Sequence, residues 1–156
     1  MIHGGGLLLY RVREGTPEVL LVHPGGPFWK NKDDGAWSLP KGEADNGETG
    51  EGLLEVAKRE FQEETSFTPQ GPFAYLGQAM RHDGKKIVEA WAFEGDCDPS
   101  QARSNTIIID WPPRSGRQME IPEVDRAAFF AIEEAKRKIN PYQIGFIDAL
   151  EKMLKK

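Results

Sequence analysis

The chain has 156 residues and a formal net charge of −5 at pH 7, with 38% hydrophobic and 29% charged residues. This composition is ordinary for one globular domain with a single core, and the negative charge argues against a dedicated nucleic-acid surface. The one cysteine, Cys97, excludes an internal disulfide and is typical of a reducing compartment. With no charged-then-apolar leader and no apolar run of membrane length, we expect a cytoplasmic protein without a membrane partner.

Alternating apolar and polar residues predict most of the strands, and stretches rich in Gly and Pro mark the turns between them. In chain order, the predicted strands span 5–13, 19–23, 36–39, 73–80, 87–94, 106–111 and 124–130. The predicted helices span 53–67, about 132–138 and 141–155. The predicted loops span 28–35, 96–104 and 112–120. Strands around a central helix, followed by C-terminal helices, predict an α/β sandwich.

The central helix carries an unbalanced set of charges. Four charged residues fall within an arc of roughly 140° on it: Arg59, Glu60, Glu63 and Glu64. Three carboxylates on one flank repel one another unless a cation lies among them, and oxygen-ligated Mg²⁺ or Mn²⁺ is the natural counterion. The alternative is a solvated helix with i,i+4 salt bridges, but Lys58 and Arg59 are too few to balance the acidic residues.

The surroundings of this helix also indicate a ligand site. Leu54, Ala57 and Phe61 lie on a different flank, and we predict that they face the core. A loop that is rich in Gly and contains Pro precedes the helix, as expected where backbone approaches a ligand closely. The sequence therefore predicts a site where this loop meets the acidic flank.

In this stretch the sequence resembles the Nudix hydrolases, whose motif is G-x5-E-x7-R-E-U-x-E-E-x-G-U, with U a bulky apolar residue. Its helical half is matched by Glu51, Arg59, Glu60, Phe61, Glu63, Glu64 and Phe67. Two features depart from it: Ser66 replaces the last Gly, and eight residues rather than five separate Gly42 from Glu51. Alternatively, Gly47 and Glu48 are the family's Gly-Glu pair, and three residues are inserted before the helix. The flanking segments LLLYR, LLVHPGGPFW and WPPRSGR resemble small predicted NTP pyrophosphohydrolases of this family.

The resemblance implies a fold and an activity. The expected fold is a single Nudix domain over 1–156, an α/β/α sandwich with a mixed sheet and a central catalytic helix. The expected reaction is metal-dependent hydrolysis of a pyrophosphate bond in a small nucleotide. Nucleoside triphosphates and dinucleoside polyphosphates such as diadenosine tetraphosphate both stay open as substrates. The alternative is a nucleotide-binding Nudix module without hydrolysis, which loss of a metal carboxylate would mark; Glu60, Glu63 and Glu64 are all present.

The resemblance also implies roles around a bound Mg²⁺ or Mn²⁺. Glu60, Glu63 and Glu64 are expected to bind the metal, and the carbonyl of Gly42 to complete its shell. Arg59 is expected to orient these carboxylates rather than to touch the substrate. Either Glu63 or Glu64 is expected to act as the general base.

Further groups are expected from distant parts of the chain. Many Nudix enzymes bring another glutamate from a remote loop; Glu123 is the predicted residue here, and Glu120 is the competing choice. Phosphates also need cations, and the candidates are Lys41, beside the Gly-containing loop, and Arg114 and Arg117, which flank a turn. Four tryptophans are equal candidates for stacking on a base: Trp29, Trp37, Trp91 and Trp111.

Overall fold

Strands and helices alternate along the chain in the computed structural model, which describes residues 1–44 and 51–155, with only the backbone at Glu51. The strands of the described chain are Ile2–Arg13 (β1), Thr16–Pro24 (β2), Lys41–Glu43 (β3), Ala74–Met80 (β4), Lys86–Glu94 (β5), Thr106–Asp110 (β6), Gln118–Pro122 (β7) and Val124–Ala131 (β8). The α-helices are Glu51–Thr65 (α1), Ile132–Lys138 (α2) and Ile144–Leu154 (α3). Short 3₁₀ helices span Pro99–Gln101 and Pro141–Gln143.

A six-stranded mixed sheet forms the centre of the fold. Its strands lie in the order β4-β5-β1-β2-β8, and β3 pairs with the first half of β1. β1 runs parallel to β5 and antiparallel to β2 and β3. β1 is therefore the strand on which the sheet is built, and its apolar run is buried on both faces.

Helices cover both faces of this sheet because successive side chains of a strand point in opposite directions. Leu7 and Leu9 of β1 belong to a core that includes Phe61 of α1. Leu8, between them, belongs to a second core that includes Phe146 and Leu150 of α3. The predicted α/β/α sandwich with a mixed sheet is confirmed.

Close approach of α1 to β1 depends on glycine. A β-carbon added at Gly5 would collide with the carbonyl oxygen of Leu53, in the first turn of the helix. Ala57 and Phe61 are buried as predicted, whereas Leu54 is only partly buried and Leu53 is fully buried in its place. Gly5 thus allows α1 to lie directly on the sheet.

Several predicted boundaries are wrong. Residues 36–39 form no strand; Trp37 and Ser38 make only isolated bridges. The predicted loop 112–120 ends early, because β7 pairs with β6 from residue 118 onward. The central helix ends at Thr65 rather than at residue 67. The predicted helix 141–155 is instead a 3₁₀ turn followed by α3. The turn begins where the Asn140 side chain accepts a hydrogen bond from the Tyr142 backbone N–H.

Within the described residues, no helix has the length and apolar character that crossing a membrane requires.

Candidate active site

Three glutamates from two distant segments meet beside β3. Glu60 and Glu64 lie one turn apart on α1, and Glu123 lies between β7 and β8. Each offers a carboxylate oxygen, and these three oxygens all lie within 4.8 Å of one another. Glu64 is buried, and Glu60 and Glu123 are partly buried. The i,i+4 spacing places two of them on one helical flank, but only the fold adds the third.

Backbone hydrogen bonds fix Glu123 against the end of α1. The N–H of Glu123 donates to the carbonyl of Asn105, and the N–H of Asn105 donates to the carbonyl of Glu63, in the last turn of the helix. On the other side, the N–H of Gly25 donates to the carbonyl of Glu123. The bond from Asn105 also satisfies the carbonyl of Glu63, one of the last carbonyls of α1, which have no partner within the helix. The position of Glu123 is therefore set by main chain rather than by a mobile side-chain contact.

Burial and the charges of neighbouring carboxylates make Glu60 and Glu64 harder to ionise. Burial, which is the largest cause, and the nearby charge of Glu123 together raise the pKa of Glu64 to about 8, while Lys41 opposes the shift. Burial also raises the pKa of Glu60 to about 7, with Glu63 and Glu123 contributing repulsion. One buried oxygen of Glu123, Oε2, has no hydrogen-bond partner in the described chain. Lys41 and Arg59 thus only partly offset the burial and mutual repulsion of Glu60 and Glu64.

Gly42 lies directly against this cluster. A β-carbon at this position would overlap the carboxyl group of Glu60, so that any larger residue would displace that side chain. Arg59 approaches Glu60 from the exposed side, with its Nη2 4.0 Å from Oε1 of Glu60. Glu63 is exposed and stands outside the group of three. The ligand roles predicted for Glu63 and for the Gly42 carbonyl stay predictions.

Basic side chains line the same cavity as the carboxylates. This cavity has a volume of about 660 Å³ and contains Lys41, Arg81 and Lys86 in addition to Glu60, Glu64 and Glu123. Lys86 is only 6% exposed. Burial, which is the largest cause, and the neighbouring Lys41 together lower its pKa to about 8, although Glu43 lies 3.8 Å from its Nζ and opposes the shift. Two lysines this close favour an anion between them.

Sequence reasoning missed Lys86 and Arg81. A signal for Lys86 was present: it opens β5 in phase with Val88 and Ala90, which are fully buried, so it occupies an inward position of the strand. Arg81 follows β4 and had no comparable signal. The two lie together because β4 and β5 form a hairpin whose turn stands at the rim of the cavity.

The other predicted cations lie elsewhere. Arg114 and Arg117 are exposed at the turn between β6 and β7, and neither lines the cavity of the carboxylates. Among the tryptophans, Trp29 lines this cavity together with Tyr142, whereas Trp37 and Trp91 are buried. Of the two candidates for the remote glutamate, the structure brings Glu123 rather than the exposed Glu120 to the cluster.

Of the two departures from the family motif, the structure describes the one at Ser66 but not the one in the loop before α1. Glu48 lies outside the described residues, and Glu51 is the first residue of α1, so the choice between them stays open. Ser66, in place of the motif's last Gly, has a φ of 69°, in the left-handed region that favours glycine. Its N–H donates to the carbonyl of Gln62, which closes the helix.

Ser66→Gly is therefore expected to stabilise the protein by about 0.5–1 kcal/mol, because glycine adopts this backbone conformation without the clash of a β-carbon. Urea unfolding at constant pH measures the difference. An unchanged or lower free energy of unfolding would show that the serine side chain compensates for the strain.

Comparisons with known proteins agree with this architecture. The family model described as NUDIX domain matches residues 4–150. A C. elegans Ap4A hydrolase, solved as a binary complex, is 21% identical with a TM-score of 0.69, and the match covers 99% of this chain and 98% of that chain. A MutT protein from Methanosarcina mazei Go1 is 22% identical with a TM-score of 0.59, and the match covers 99% of this chain and 96% of that chain. A mutT/nudix family protein from Listeria innocua is 20% identical with a TM-score of 0.63, and the match covers 99% of this chain and 94% of that chain. No curated protein sequence matches.

The match over nearly the whole length shows that the chain belongs to the NUDIX domain family. The protein is a Nudix hydrolase, as the motif on its central helix predicted. At these levels of identity the similar structures establish the fold, and the substrate has to be argued from the site.

Proposed function

We propose that the protein hydrolyses a pyrophosphate bond in a nucleoside polyphosphate and that it requires Mg²⁺ or Mn²⁺. The observation that carries this proposal is the convergence of Glu60, Glu64 and Glu123, whose carboxylate oxygens lie within 4.8 Å of one another. Beside them, in the same cavity, stand Lys41, Arg81 and Lys86. The three carboxylates would hold a divalent cation that supplies positive charge, and the basic side chains beside them would bind phosphate oxygens.

The residues present fit a hard divalent cation. The donors are carboxylate oxygens, which Mg²⁺ and Mn²⁺ prefer, and they are close enough to share one ion. Oε2 of Glu123 is buried without a hydrogen-bond partner in the described chain, and such an oxygen is costly unless a ligand satisfies it. Burial and the repulsion of neighbouring carboxylates raise the pKa values of Glu60 and Glu64, and a bound cation would offset both effects.

Each part of the site then has a defined task. When bound, Mg²⁺ or Mn²⁺ supplies positive charge that neutralises phosphate oxygens and makes a coordinated water more acidic. Glu60, Glu64 and Glu123 would hold it, and Arg59 would keep Glu60 in orientation from the solvent side. A carboxylate of the helix, Glu63 or Glu64, would take the proton from the attacking water.

The shape of the surroundings favours a dinucleoside polyphosphate over a nucleoside triphosphate. A second cavity, of about 480 Å³, shares Glu64 and Val124 with the first and is lined by Arg103, Arg126 and Lys138. Trp29 and Tyr142 give the first cavity aromatic surface for a base. Two cavities that share Glu64 would accommodate the two nucleoside ends of a dinucleoside polyphosphate. The fold it shares with an Ap4A hydrolase is compatible with this choice.

The decisive experiment is a panel of nucleotides with Mg²⁺, Mn²⁺ or EDTA. We expect diadenosine tetraphosphate to be cleaved with a higher kcat/KM than ATP or any dNTP, and only when metal is present. Reaction in ¹⁸O-labelled water would show which phosphorus atom is attacked. Binding of these nucleotides without turnover would favour the alternative, a Nudix module that only binds them.

Lys86→Gln should raise KM by about tenfold with a much smaller effect on kcat, because the ammonium group neutralises phosphate in the bound substrate as well as in the transition state. Lys85→Gln is the matched control, since its neighbour Lys85 is exposed outside the cavity. Steady-state kinetics on the preferred substrate measures both. Equal KM values for the two variants would remove Lys86 from the phosphate site.

Arg114 and Arg117 enter the same measurement as substrate-binding candidates. Because they lie at a turn outside the cavity, their contact with phosphate requires the turn to approach the bound substrate. Kinetics of a double Ala variant that match the unaltered enzyme would show that the turn is a bystander.

We further propose that residues 1–156 form a single domain in the cytoplasm, with no nucleic-acid partner. The net charge of −5 and the free thiol of Cys97 support these assignments.

A further inference from the structure

The β6–β7 ribbon, residues 106–122, stands apart from the main sheet. Its two strands pair only with each other, and within the described residues neither makes extensive contact with another helix or strand. Ile107 lies opposite Ile121, and Ile109 lies opposite Met119, so these four apolar side chains share one face. An isolated two-stranded hairpin is marginally stable in water without further packing.

Apolar side chains of the ribbon stay open to solvent. Ile108 is 63% exposed on one face, and on the other face Ile107 is 38% and Met119 is 42% exposed. Among the described residues, the ribbon is covered at its base, where Ile121 packs against Gly26. An exposed apolar group of this kind indicates an interaction surface.

The outer edge of β6 is free for strand pairing. The N–H of Trp111 donates to the carbonyl of Arg117, and alternation along the ladder turns the backbone groups of Thr106, Ile108 and Asp110 away from β7. No backbone hydrogen bond from the described chain reaches these outward groups. The strand, Thr-Ile-Ile-Ile-Asp, also lacks Pro, Lys and any bulge, the features with which edge strands usually avoid association.

The outer strands of the main sheet differ in this respect. β4 contains a register shift between Tyr75 and Gly77, and β8 exposes Asp125 and Arg126 with residues of the 3₁₀ turn packed beside it. Bulges and charges of this kind oppose strand addition. β6 thus lacks the features by which β4 and β8 oppose strand addition.

We propose that β6 pairs antiparallel with β6 of a second copy of this chain, around a two-fold axis at Ile108. In this register Ile107 lies opposite Ile109 of the partner subunit, so the apolar faces of both ribbons become continuous. The hydroxyl of Thr106 lies opposite the carboxylate of Asp110 of the partner subunit, which is a favourable polar pair. The two Asp110 carboxylates stay four residues apart along the strands, about 13 Å, so they do not repel strongly.

This sequence is therefore complementary to itself, which is the condition for an interface with two-fold symmetry. An unrelated peptide strand would satisfy the backbone groups equally well, but a second copy of β6 also matches the apolar residues and Asp110 in one register. The pairing joins the two ribbons into a four-stranded sheet, which has the strand number that independent stability requires.

Sedimentation velocity at concentrations up to about 100 µM tests the proposal. We expect the unaltered chain to be a dimer and Ile108→Asp to be a monomer with an unchanged circular dichroism spectrum. Met80→Asp is the matched control, because Met80 is a comparably exposed apolar residue (53%) at the end of β4, and this variant should stay dimeric. A monomeric unaltered chain, or a dimer that persists in Ile108→Asp, would overturn the proposal, including the case in which the ribbon binds a different partner.

Crosslinking tests the register without relying on a disruptive variant. In a Cys97→Ser background, Ile108→Cys should form a disulfide-linked dimer on mild oxidation, since the two Cα atoms of a directly opposed pair are about 5.5 Å apart. Thr106→Cys, also exposed on β6, should not crosslink to itself, because its copies are about 13 Å apart. Equal crosslinking of the two variants, or none in Ile108→Cys, would overturn the pairing at β6.

Discussion

Glu64→Gln should lower kcat by at least about a hundredfold while leaving the protein folded. Glu64 is the most buried of the three clustered glutamates, and its carboxylate lies close to those of Glu60 and Glu123. An amide has the same shape but carries no negative charge, so the variant would lose a metal ligand without losing packing. Steady-state kinetics with Mg²⁺ and titration of metal affinity measure the two consequences separately.

Two other substitutions are needed to interpret the kinetics of Glu64→Gln. Glu55→Gln changes an exposed glutamate on the same helix that pairs only with Lys58, and its turnover should match that of the unaltered enzyme. Glu63→Gln separates the two candidates for the general base: a loss of kcat with unchanged metal affinity would assign the proton transfer to Glu63. If Glu64→Gln kept normal turnover, the carboxylate cluster would not be the catalytic centre.

The metal-free protein should lose stability as the pH rises from about 5 to about 7.5, by a few kcal/mol. The pKa values of Glu60 and Glu64 are raised to about 7 and about 8 in the folded protein, above the ordinary value of 4.5 that the unfolded chain has. Between pH 4.5 and these raised pKa values, the folded state holds more protons than the unfolded state. The free energy of unfolding therefore falls with increasing pH in this range. Chemical unfolding in EDTA at several pH values measures this slope.

Saturating Mg²⁺ or Mn²⁺ should reverse the effect, because ionised carboxylates bind the metal and only the folded protein brings them together. Glu64→Gln should flatten the slope in EDTA, whereas Glu55→Gln should leave it unchanged. The window ends near pH 8, where deprotonation of Lys86 begins and acts with the opposite sign, since its pKa is lowered in the folded state. Constant or increasing stability between pH 5 and 7.5 without metal would contradict the proposed electrostatics.

Prediction from sequence was most accurate where structure is local. The acidic flank of α1 follows from the spacing of Glu60 and Glu64 alone, and the strands that alternate in polarity, such as β5, were placed to within a residue or two. The failures have physical causes. Residues 36–39 are held by isolated long-range bridges, and β7 is a strand only because β6 lies beside it. Neither pairing leaves a pattern within the segment itself.

The sequence by itself determined the family, the sandwich of helices on a mixed sheet, and the helix that presents the acidic residues. Helical periodicity and apolar alternation extend over a few neighbouring residues, so they can be recognised in the amino-acid sequence alone. Only the tertiary structure decided that Glu123 rather than Glu120 joins the two helical glutamates, Glu60 and Glu64. It also placed Lys86 and Arg81 in the cavity of these carboxylates. Arg114 and Arg117 lie instead at a turn outside that cavity. These groups come from segments far apart in the chain, and their meeting depends on strand order and on backbone hydrogen bonds between elements, which no local pattern encodes.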